Sequence, residues 1–290
     1  MRRTSAFPIR ASLLVLALAT AGAIPALAQD APAPASQPAA DAALQAVLAG
    51  DWRSADNRAR DAYRHPAETL AFFGLAPGQT VVEITPGGGW YAEILAPYLR
   101  GNGQYVAAIV DPAAVAEGRG RDYQQRGKDA LEKRFADAPA QYDAAKIVAY
   151  DPAAPKFGDA GSADLVLTFR NVHNWRGAGQ AEGMFKGFFE VLKPGGVLGV
   201  VEHRAAQDVP ADDRSGYVGQ AQVIAMAEAA GFVLDGKSEV NANPKDTKDH
   251  PNGVWTLPPG NNHDAADAAK YRAIGESDRM TLRFVKPARD

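Results

Sequence analysis

The sequence contains no cysteine among its 290 residues. This absence excludes disulfides, a thiolate nucleophile and zinc–thiolate sites. A basic excess is also lacking, because 31 Lys and Arg stand against 34 Asp and Glu and the formal net charge is −3. A basic surface is the usual mark of nucleic-acid binding, so no nucleic-acid partner is expected. Apolar residues make up 46% of the chain, which is enough for one large domain with a buried core.

The first 28 residues have the pattern of an export signal. Three arginines precede the apolar segment 11–27, which is short and alanine-rich for a membrane span. Ala26-Leu27-Ala28 fits an A-x-A cleavage site, so the mature chain is predicted to begin at Gln29 and to be periplasmic or secreted. A twin-arginine signal at Arg2-Arg3, an uncleaved anchor and a cytoplasmic enzyme with a misread N-terminus are the alternatives.

The rest of the chain divides into a linker and one α/β domain. Residues 29–40 are rich in Pro and Ala and predict a disordered linker, and the domain follows over 41–290. Helices are predicted at 41–49, 53–63, from Pro66 onward, and at 90–99, 113–135, 181–192 and 217–230. The predicted strands are Thr80–Ile84, Tyr105–Val110, Lys146–Tyr150, Ala163–Phe169, Val197–Glu202, Phe232–Val240 and Met280–Val285. This alternation predicts a doubly wound, mostly parallel, seven-stranded sheet, and the polar segment 241–278 predicts a lid.

A glycine-dense turn follows the first predicted strand. Glu83 lies near the end of that strand, and Pro86-Gly87-Gly88-Gly89 leads directly into a helix. Glycines allow positive φ and close approach of a ligand, and the helix start offers unpaired N–H groups. Such a turn predicts a nucleotide-like ligand beyond the strand end. A tight turn without a ligand is the alternative.

The strand, acid and glycine turn together resemble the first motif of class I S-adenosylmethionine-dependent methyltransferases. That family also has acids after its second and third strands, where Asp111 and Asp151 stand. Val191-Leu192-Lys193-Pro194-Gly195-Gly196 resembles the turn before its fifth strand. The resemblance covers roughly residues 70–286. It implies a Rossmann-like methyltransferase fold, S-adenosyl-L-methionine as cofactor and methyl transfer to a small-molecule acceptor.

Four segments resemble, more narrowly, a group of exported bacterial proteins described as predicted methyltransferases. These segments are Arg64–Leu70, Pro86–Tyr91, Asn171–Trp175 and Ile274–Arg279. The group's pattern does not define the methyl acceptor. The chain departs from the wider family at Thr85, which stands where the first glycine is usual and precedes a proline that stiffens the turn.

The resemblance assigns six residues to the cofactor: Glu83, Thr85, Gly87, Gly89, Asp111 and Asp151. In this assignment the two glycines approach the methionine end and Glu83 orients the turn. Asp111 accepts hydrogen bonds from the ribose hydroxyls, and Asp151 lies near the adenine. Each of the three acids has a local cap or turn as its alternative role.

The resemblance places the acceptor beyond the fourth and fifth strands. His173 and His203 are the candidate catalytic bases. The candidate substrate-binding residues are Arg170, Asn171, Asn174, Trp175 and Arg204, with Trp175 as a stacking surface and Arg204 as an anion clamp. Glu202 is expected on the opposite face of its strand from His203.

No metal is predicted. A site combining the two histidines with Asp246, Asp249 and His250 is disfavoured, because no short ligand spacing supports it. Two other functions stay open at this point. Gly87–Ala92 also satisfies G-x-G-x-x-A, which is typical of nicotinamide-dependent oxidoreductases. A non-catalytic binding protein on the same fold is the second, favoured by predicted export away from the cytoplasmic source of the cofactor.

Overall fold

The computed structural model describes Met1 and residues 38–288 of the chain. The predicted signal peptide over 1–28 and most of the predicted linker lie outside the described residues, so cleavage and export stay predictions. The last linker residues, 38–40, belong instead to the first helix. Proline suits a first helical position and alanine favours its continuation. Among the described residues, no helix has both the length and the apolar character needed to cross a membrane.

One sheet of seven strands organises the domain, in the order β3-β2-β1-β4-β5-β7-β6. The strands are β1 Thr80–Ile84, β2 Gln104–Val110, β3 Lys146–Tyr150, β4 Ala163–Phe169, β5 Leu192–His203, β6 Val233–Ser238 and β7 Arg279–Val285. All neighbours pair in parallel except β7, which runs antiparallel to both β5 and β6. The predicted doubly wound, mostly parallel, seven-stranded sheet is therefore confirmed.

The helices lie before and between the strands. They are α1 Pro38–Leu48, α2 Ala55–Ala59, α3 Asp61–Arg64, α4 Pro66–Phe73, α5 Ala92–Leu99, α6 Arg119–Asp137, α7 Pro139–Tyr142, α8 Val172–Gly177, α9 Ala181–Val191, α10 Gln220–Ala229 and α11 Ala268–Ile274. The predicted helices after β1, β2, β4 and β5 are present with shifted ends. The short helix α8 was not predicted.

Two further segments differ from the prediction. The single helix predicted over 53–63 is broken at Arg60 into α2 and α3, because the side chains at this bend make tertiary ion pairs that outweigh a weak helical pattern. The predicted lid 241–278 is partly helical. It contains α11 and 3-10 turns at Gly253–Thr256 and Ala265–Asp267.

Apolar layers cover both faces of the sheet. Central strands that are buried on both faces carry near-continuous apolar runs, which explains why their positions could be predicted. Close approach of α4 to the sheet depends on Gly199 in β5. A Cβ at that position would lie 2.7 Å from both Phe73 and Leu167, which is shorter than a van der Waals contact. Glycine at 199 therefore lets α4 pack directly against β5.

The strand order also locates a crevice. β1 lies between β2 and β4, so the chain leaves β1 toward one side of the sheet and leaves β4 toward the other. In open α/β sheets, ligands bind beyond the carboxyl ends of the strands at this point of divergence. The glycine turn after β1 and the polar segment after β4 both lie there.

Candidate functional site

A cavity of about 970 Å³ opens beyond the carboxyl ends of the central strands. Its volume is at the upper end of the range for small-molecule sites. The predicted site residues that line it are Thr85, Gly87, Asp151, Arg170, Asn171, His173, Asn174, Trp175 and His203. Glu83, Gly89, Asp111 and Arg204 are not among its lining residues. Part of the predicted lid, including Trp255 and Ser277, forms one wall.

The glycine turn is open toward this cavity. Gly87 and Gly89 have φ values of 58° and 76°, in the left-handed region that glycine tolerates. A Cβ placed on Gly87 would have no atom within 4 Å, whereas one on Gly89 would touch Ala92 and Arg134. Gly87 thus borders free space just before the N-terminus of α5, whereas Gly89 packs against neighbouring side chains.

Two non-glycine residues at neighbouring strand ends share the same unusual backbone. Thr85 and Arg170 have φ values of 51° and 62°, and each keeps a 2.7 Å hydrogen bond from its N–H to the adjacent strand. Such a conformation costs about 1–3 kcal/mol and is concentrated at functional sites. Thr85 Oγ1 lies 2.8 Å from Tyr150 Oη. Thr85 therefore adopts a left-handed backbone conformation that glycine tolerates more readily, and its side chain forms a hydrogen bond with Tyr150.

Glu83 lies beneath the turn rather than in the cavity. Its side chain is only 2% exposed, and Tyr105 Oη donates a 2.6 Å hydrogen bond to Oε2. Burial raises the pKa of the Glu83 carboxyl to about 7, although the hydrogen bond from Tyr105 opposes this shift. The carboxyl therefore changes charge close to neutral pH, beneath the turn that the sequence analysis expected it to orient.

The acids after β2 and β3 cap their own turns. Asp111 Oδ1 accepts the N–H of Ala113 at 2.9 Å, and Asp151 Oδ1 accepts the N–H of Ala153 at 2.8 Å. Asp151 is exposed and lines the cavity. These bonds match the local roles that were the alternatives. Contacts of either acid with a nucleoside stay predictions.

Helix α8 brings His173 onto a buried carboxylate. His173 Nδ1 lies 3.0 Å from Glu202 Oε1, and the backbone N–H groups of His173 and His203 donate to the same carboxylate at 3.2 and 2.7 Å. Glu202 is fully buried. The sequence analysis left Glu202 out of the site because strand alternation turns it away from His203. The available signal was a glutamate inside an apolar strand that ends next to a histidine.

His203 is held in a different way. Its Nδ1 lies 2.5 Å from Ser277 Oγ, at the end of the predicted lid. Burial, followed by the neighbouring His173 and the positive charges of Arg170 and Arg279, holds the pKa of His203 well below its usual value. The ring is therefore neutral at neutral pH and able to accept a proton only at a high energetic cost.

His173, Glu202 and His203 also form a group that could hold a metal ion, since one ligand atom from each lies within 4.8 Å of the others. The same arginine charges that lower the pKa of His203 oppose a cation here. The metal combination weighed in the sequence analysis is not assembled. His250 Nε2 instead lies 2.8 Å from Asp246 Oδ1, and both side chains are buried inside the predicted lid.

Four arginines surround one glutamate at the edge of the cavity. Three of them bind Glu276: Arg60 at 2.7 Å, Arg64 at 3.1 Å and Arg279 at 3.0 Å. Arg170 adds a fourth charge, and the four are called the arginine cluster below. Burial raises the pKa of Glu276, but the charges of the cluster outweigh this and lower it to about 2. Burial and the charge of Arg170 lower the pKa of Arg64 to about 9.

Arg204 requires a correction. It was predicted to clamp an anion, but it lies outside the cavity lining and its guanidinium is bound by two carboxylates. Nε and Nη2 donate to Asp278 at 3.0 and 2.9 Å, and Nη2 lies 2.7 Å from Glu239 Oε2. These hydrogen bonds raise the pKa of Arg204. Arg204 therefore fastens β5 to the chain segments around it.

The remaining residues predicted to bind the acceptor differ in burial and in their contacts. Asn171 Nδ2 donates to the carbonyl of Ile84 at 3.0 Å and so ties the end of β4 to the end of β1. Trp175 is buried, with its ring 5.5 Å from that of Phe188, and forms part of the cavity floor. Asn174 is exposed at the rim.

The fold is similar to solved structures of S-adenosylmethionine-dependent methyltransferases. One from Aquifex aeolicus has a TM-score of 0.52 at 14% identity, over 85% of this chain and 98% of that one. One from Methanosarcina mazei has a TM-score of 0.51 at 13% identity, over 76% and 97% of the two chains. The cyclase SpnF has a TM-score of 0.52 at 16% identity, over 85% and 93%.

No protein-family model and no curated protein matches the chain. At these identities the structural likeness shows the fold alone, and the Rossmann-like methyltransferase fold is confirmed. The narrower resemblance to the exported group stays a prediction from the sequence motifs. Because one of the similar structures is named a cyclase, the reaction has to be argued from the site.

Proposed function

We propose that this protein binds S-adenosylmethionine at the glycine turn and transfers its methyl group to a small-molecule acceptor. The observation that carries the proposal is the open space at Gly87, at the head of a helix and beside a large cavity. Solved structures named as S-adenosylmethionine-dependent methyltransferases share the fold and support the proposal. Bound there, the cofactor supplies an electrophilic methyl group on a sulfonium that is already a good leaving group.

The residues of the chain divide the cavity into two parts. The turn after β1 provides Thr85 and Gly87 for the nucleoside part, and the end of β3 provides Asp151. The segment after β4, the end of β5 and the predicted lid surround the acceptor part. Because the sulfonium needs little chemical activation, the main tasks of the protein are alignment of the acceptor and exclusion of water.

His173 is the base favoured by the geometry. Its Nδ1 faces the Glu202 carboxylate, which has only acceptor atoms when ionised, so the ring carries its proton on Nδ1. Nε2, on the other side of the ring, then keeps a lone pair for a proton of the acceptor. Glu202 is a positioning residue in this arrangement, since it sets the tautomer and orientation of the imidazole.

Calorimetric titration tests the proposal directly. We expect the purified chain starting at Gln29 to bind S-adenosylmethionine and S-adenosylhomocysteine in a saturable manner, with Kd in the range of about 1 µM to 1 mM common for enzyme ligands. Circular dichroism of the same sample checks that the protein is folded. A folded sample that binds neither compound would contradict the proposal and favour a non-catalytic protein on this fold.

Glu202→Ala tests the positioning role. The variant removes the acceptor of the Nδ1 proton, so His173 is expected to shift toward the tautomer that carries its proton on Nε2. The ¹⁵N chemical shifts of the histidine side chains report this change without any acceptor. Glu182→Ala is the matched control, because it removes an exposed carboxylate that pairs with Lys186. An unchanged tautomer in Glu202→Ala would remove Glu202 from the mechanism.

The strand order bears on the nicotinamide alternative. The antiparallel β7 lies between β5 and β6, whereas the dinucleotide-binding fold continues with parallel strands in the order 3-2-1-4-5-6. The turn therefore has the G-x-G-x-x-A pattern, but the edge of the sheet that contains β7 differs from the dinucleotide-binding fold. This difference in strand order favours the methyltransferase proposal over the nicotinamide alternative.

A further inference from the structure

The arginine cluster holds more positive charge than its neighbours neutralise. Within residues 38–288, Glu276 is the one carboxylate that pairs with Arg60, Arg64 and Arg279. Arg170 has no side-chain hydrogen bond or ion pair with any residue that the structure describes. Burial and mutual repulsion lower the pKa of both Arg64 and Arg170. This direction is expected because desolvation and neighbouring positive charges both disfavour a charged guanidinium.

Two donors of the cluster, Nη2 of Arg60 and Nη2 of Arg64, are buried and have no hydrogen-bond partner among the residues that the structure describes. Arg64 is only 3% exposed, yet it lines the cavity together with Arg60 and Arg170. Buried guanidinium donors are normally paired, so the cluster favours an acceptor with negative charge at this edge of the cavity.

We propose that the methyl acceptor is a small organic acid whose oxyanion binds to Arg60, Arg64 and Arg170. This inference rests on the proposed function, and it names the chemical class of the acceptor. The planar guanidinium groups match the geometry of a carboxylate or a phosphate. Phe169 and Trp255, which also line the cavity, provide apolar walls for the body of the acid.

The cofactor itself contains a carboxylate, so it is a second possible source of the anion. S-Adenosylmethionine carries that carboxylate together with a sulfonium and an ammonium, and its net charge is positive. Its binding therefore adds positive charge to the cavity as a whole, whereas an anionic acceptor reduces the positive charge. An anion at the cluster also lowers the repulsion between the arginines and the sulfonium.

The oxyanion is the group through which the acceptor binds, and a different atom of the acceptor is methylated. Contacts with several guanidinium groups stabilise the negative charge of the oxyanion and make it a poor nucleophile. The methyl carbon therefore forms its new bond to a hydroxyl oxygen or an amine nitrogen of the acid, and the carbon–sulfur bond breaks. The electron pair stays on sulfur, and the proton of the acceptor passes to His173 Nε2.

Benzoate and benzamide form a matched pair of probes, because they differ in charge and are alike in size. At constant ionic strength we expect benzoate to raise Tm of the wild-type protein and benzamide to leave it unchanged. S-Adenosylhomocysteine and benzoate are expected to bind at the same time. Wild-type protein that responds to neither benzoate nor inorganic phosphate would overturn the proposal.

Arg170→Met separates a binding role from a structural one. Because Arg170 pairs with no side chain in the described part of the chain, its removal is expected to raise Tm of the ligand-free protein while benzoate affinity falls about tenfold to hundredfold. Arg58→Met is the control. Arg58 is exposed on α2, next to the cluster in sequence but outside the cavity lining, so the affinity is expected to stay unchanged. Unchanged benzoate affinity in Arg170→Met would contradict the proposal.

The affinity for S-adenosylhomocysteine, measured in variants of the cluster, tests whether the arginines bind the cofactor instead. If Arg170→Met and Arg64→Met weaken S-adenosylhomocysteine and spare benzoate, the cluster serves the cofactor carboxylate and the acceptor proposal is wrong. If wild-type protein binds benzoate through Arg170 but binds no S-adenosylhomocysteine, the anion site stands and the methyltransferase proposal fails. The two failures are therefore distinguishable.

Discussion

Glu276→Gln is expected to lower the free energy of unfolding by about 3–5 kcal/mol at neutral pH. Glu276 is almost completely buried and binds three arginines. A neutral amide in its place leaves the arginine cluster without a counter-charge in a poorly solvated site. Urea denaturation followed by circular dichroism measures the change. A loss below about 1 kcal/mol would mean that water or bound anions already neutralise the cluster.

The same variant carries a pH signature. The folded-state pKa of Glu276, about 2, lies below the ordinary value of 4.5. Its stabilising contribution is therefore present in full above pH 4.5 and is lost as the pH falls toward about 2. The difference between wild type and Glu276→Gln should accordingly be largest near neutral pH and shrink in acid. Glu182→Gln, which breaks an exposed pair with Lys186, is expected to leave the free energy of unfolding nearly unchanged at any pH.

Gly87→Val is expected to lower the affinity for S-adenosylmethionine by about a hundredfold or more while the protein stays folded. A Cβ at this position meets no atom within 4 Å, so the valine side chain projects into the space proposed for the ligand. The loss corresponds to about 3 kcal/mol of binding free energy or more. The positive φ of 58° adds about 1–3 kcal/mol of strain to the folded state.

Gly161→Val separates strain from ligand exclusion. Gly161 has a φ of 68° and open space around its Cβ position, but it does not line the cavity. Its valine variant should therefore lose similar stability and keep wild-type affinity in calorimetric titration. Equal affinity in Gly87→Val and the wild type would remove the glycine turn from the binding site.

The central strands and the glycine turn could be predicted because their determinants are local. β1 and β4 were predicted at their observed ends, since buried strands with turn residues at both ends have a distinctive composition. The left-handed backbone at Gly87 follows from a residue type that tolerates it. The strained backbone at Thr85 and Arg170 could not be predicted, because neither residue type favours it.

The charges of the site had to be read from the tertiary structure. Arg204 was predicted as an anion clamp from its place after β5, but two carboxylates neutralise it. Arg60 and Arg64 were outside the predicted site, although they lie against a glutamate more than 200 positions away in the chain. Spacing along the sequence contains no information about which charges meet after folding.

The amino-acid sequence by itself determined the strands of the sheet, most of the helices between them and the glycine turn, because hydrophobic periodicity and backbone permissiveness act over a few residues. The tertiary structure alone decided that His173 meets Glu202 and that three arginines bind one carboxylate with a fourth arginine nearby. Those contacts join segments brought together only by packing, and their energies depend on burial, which removes the water that would otherwise screen each charge.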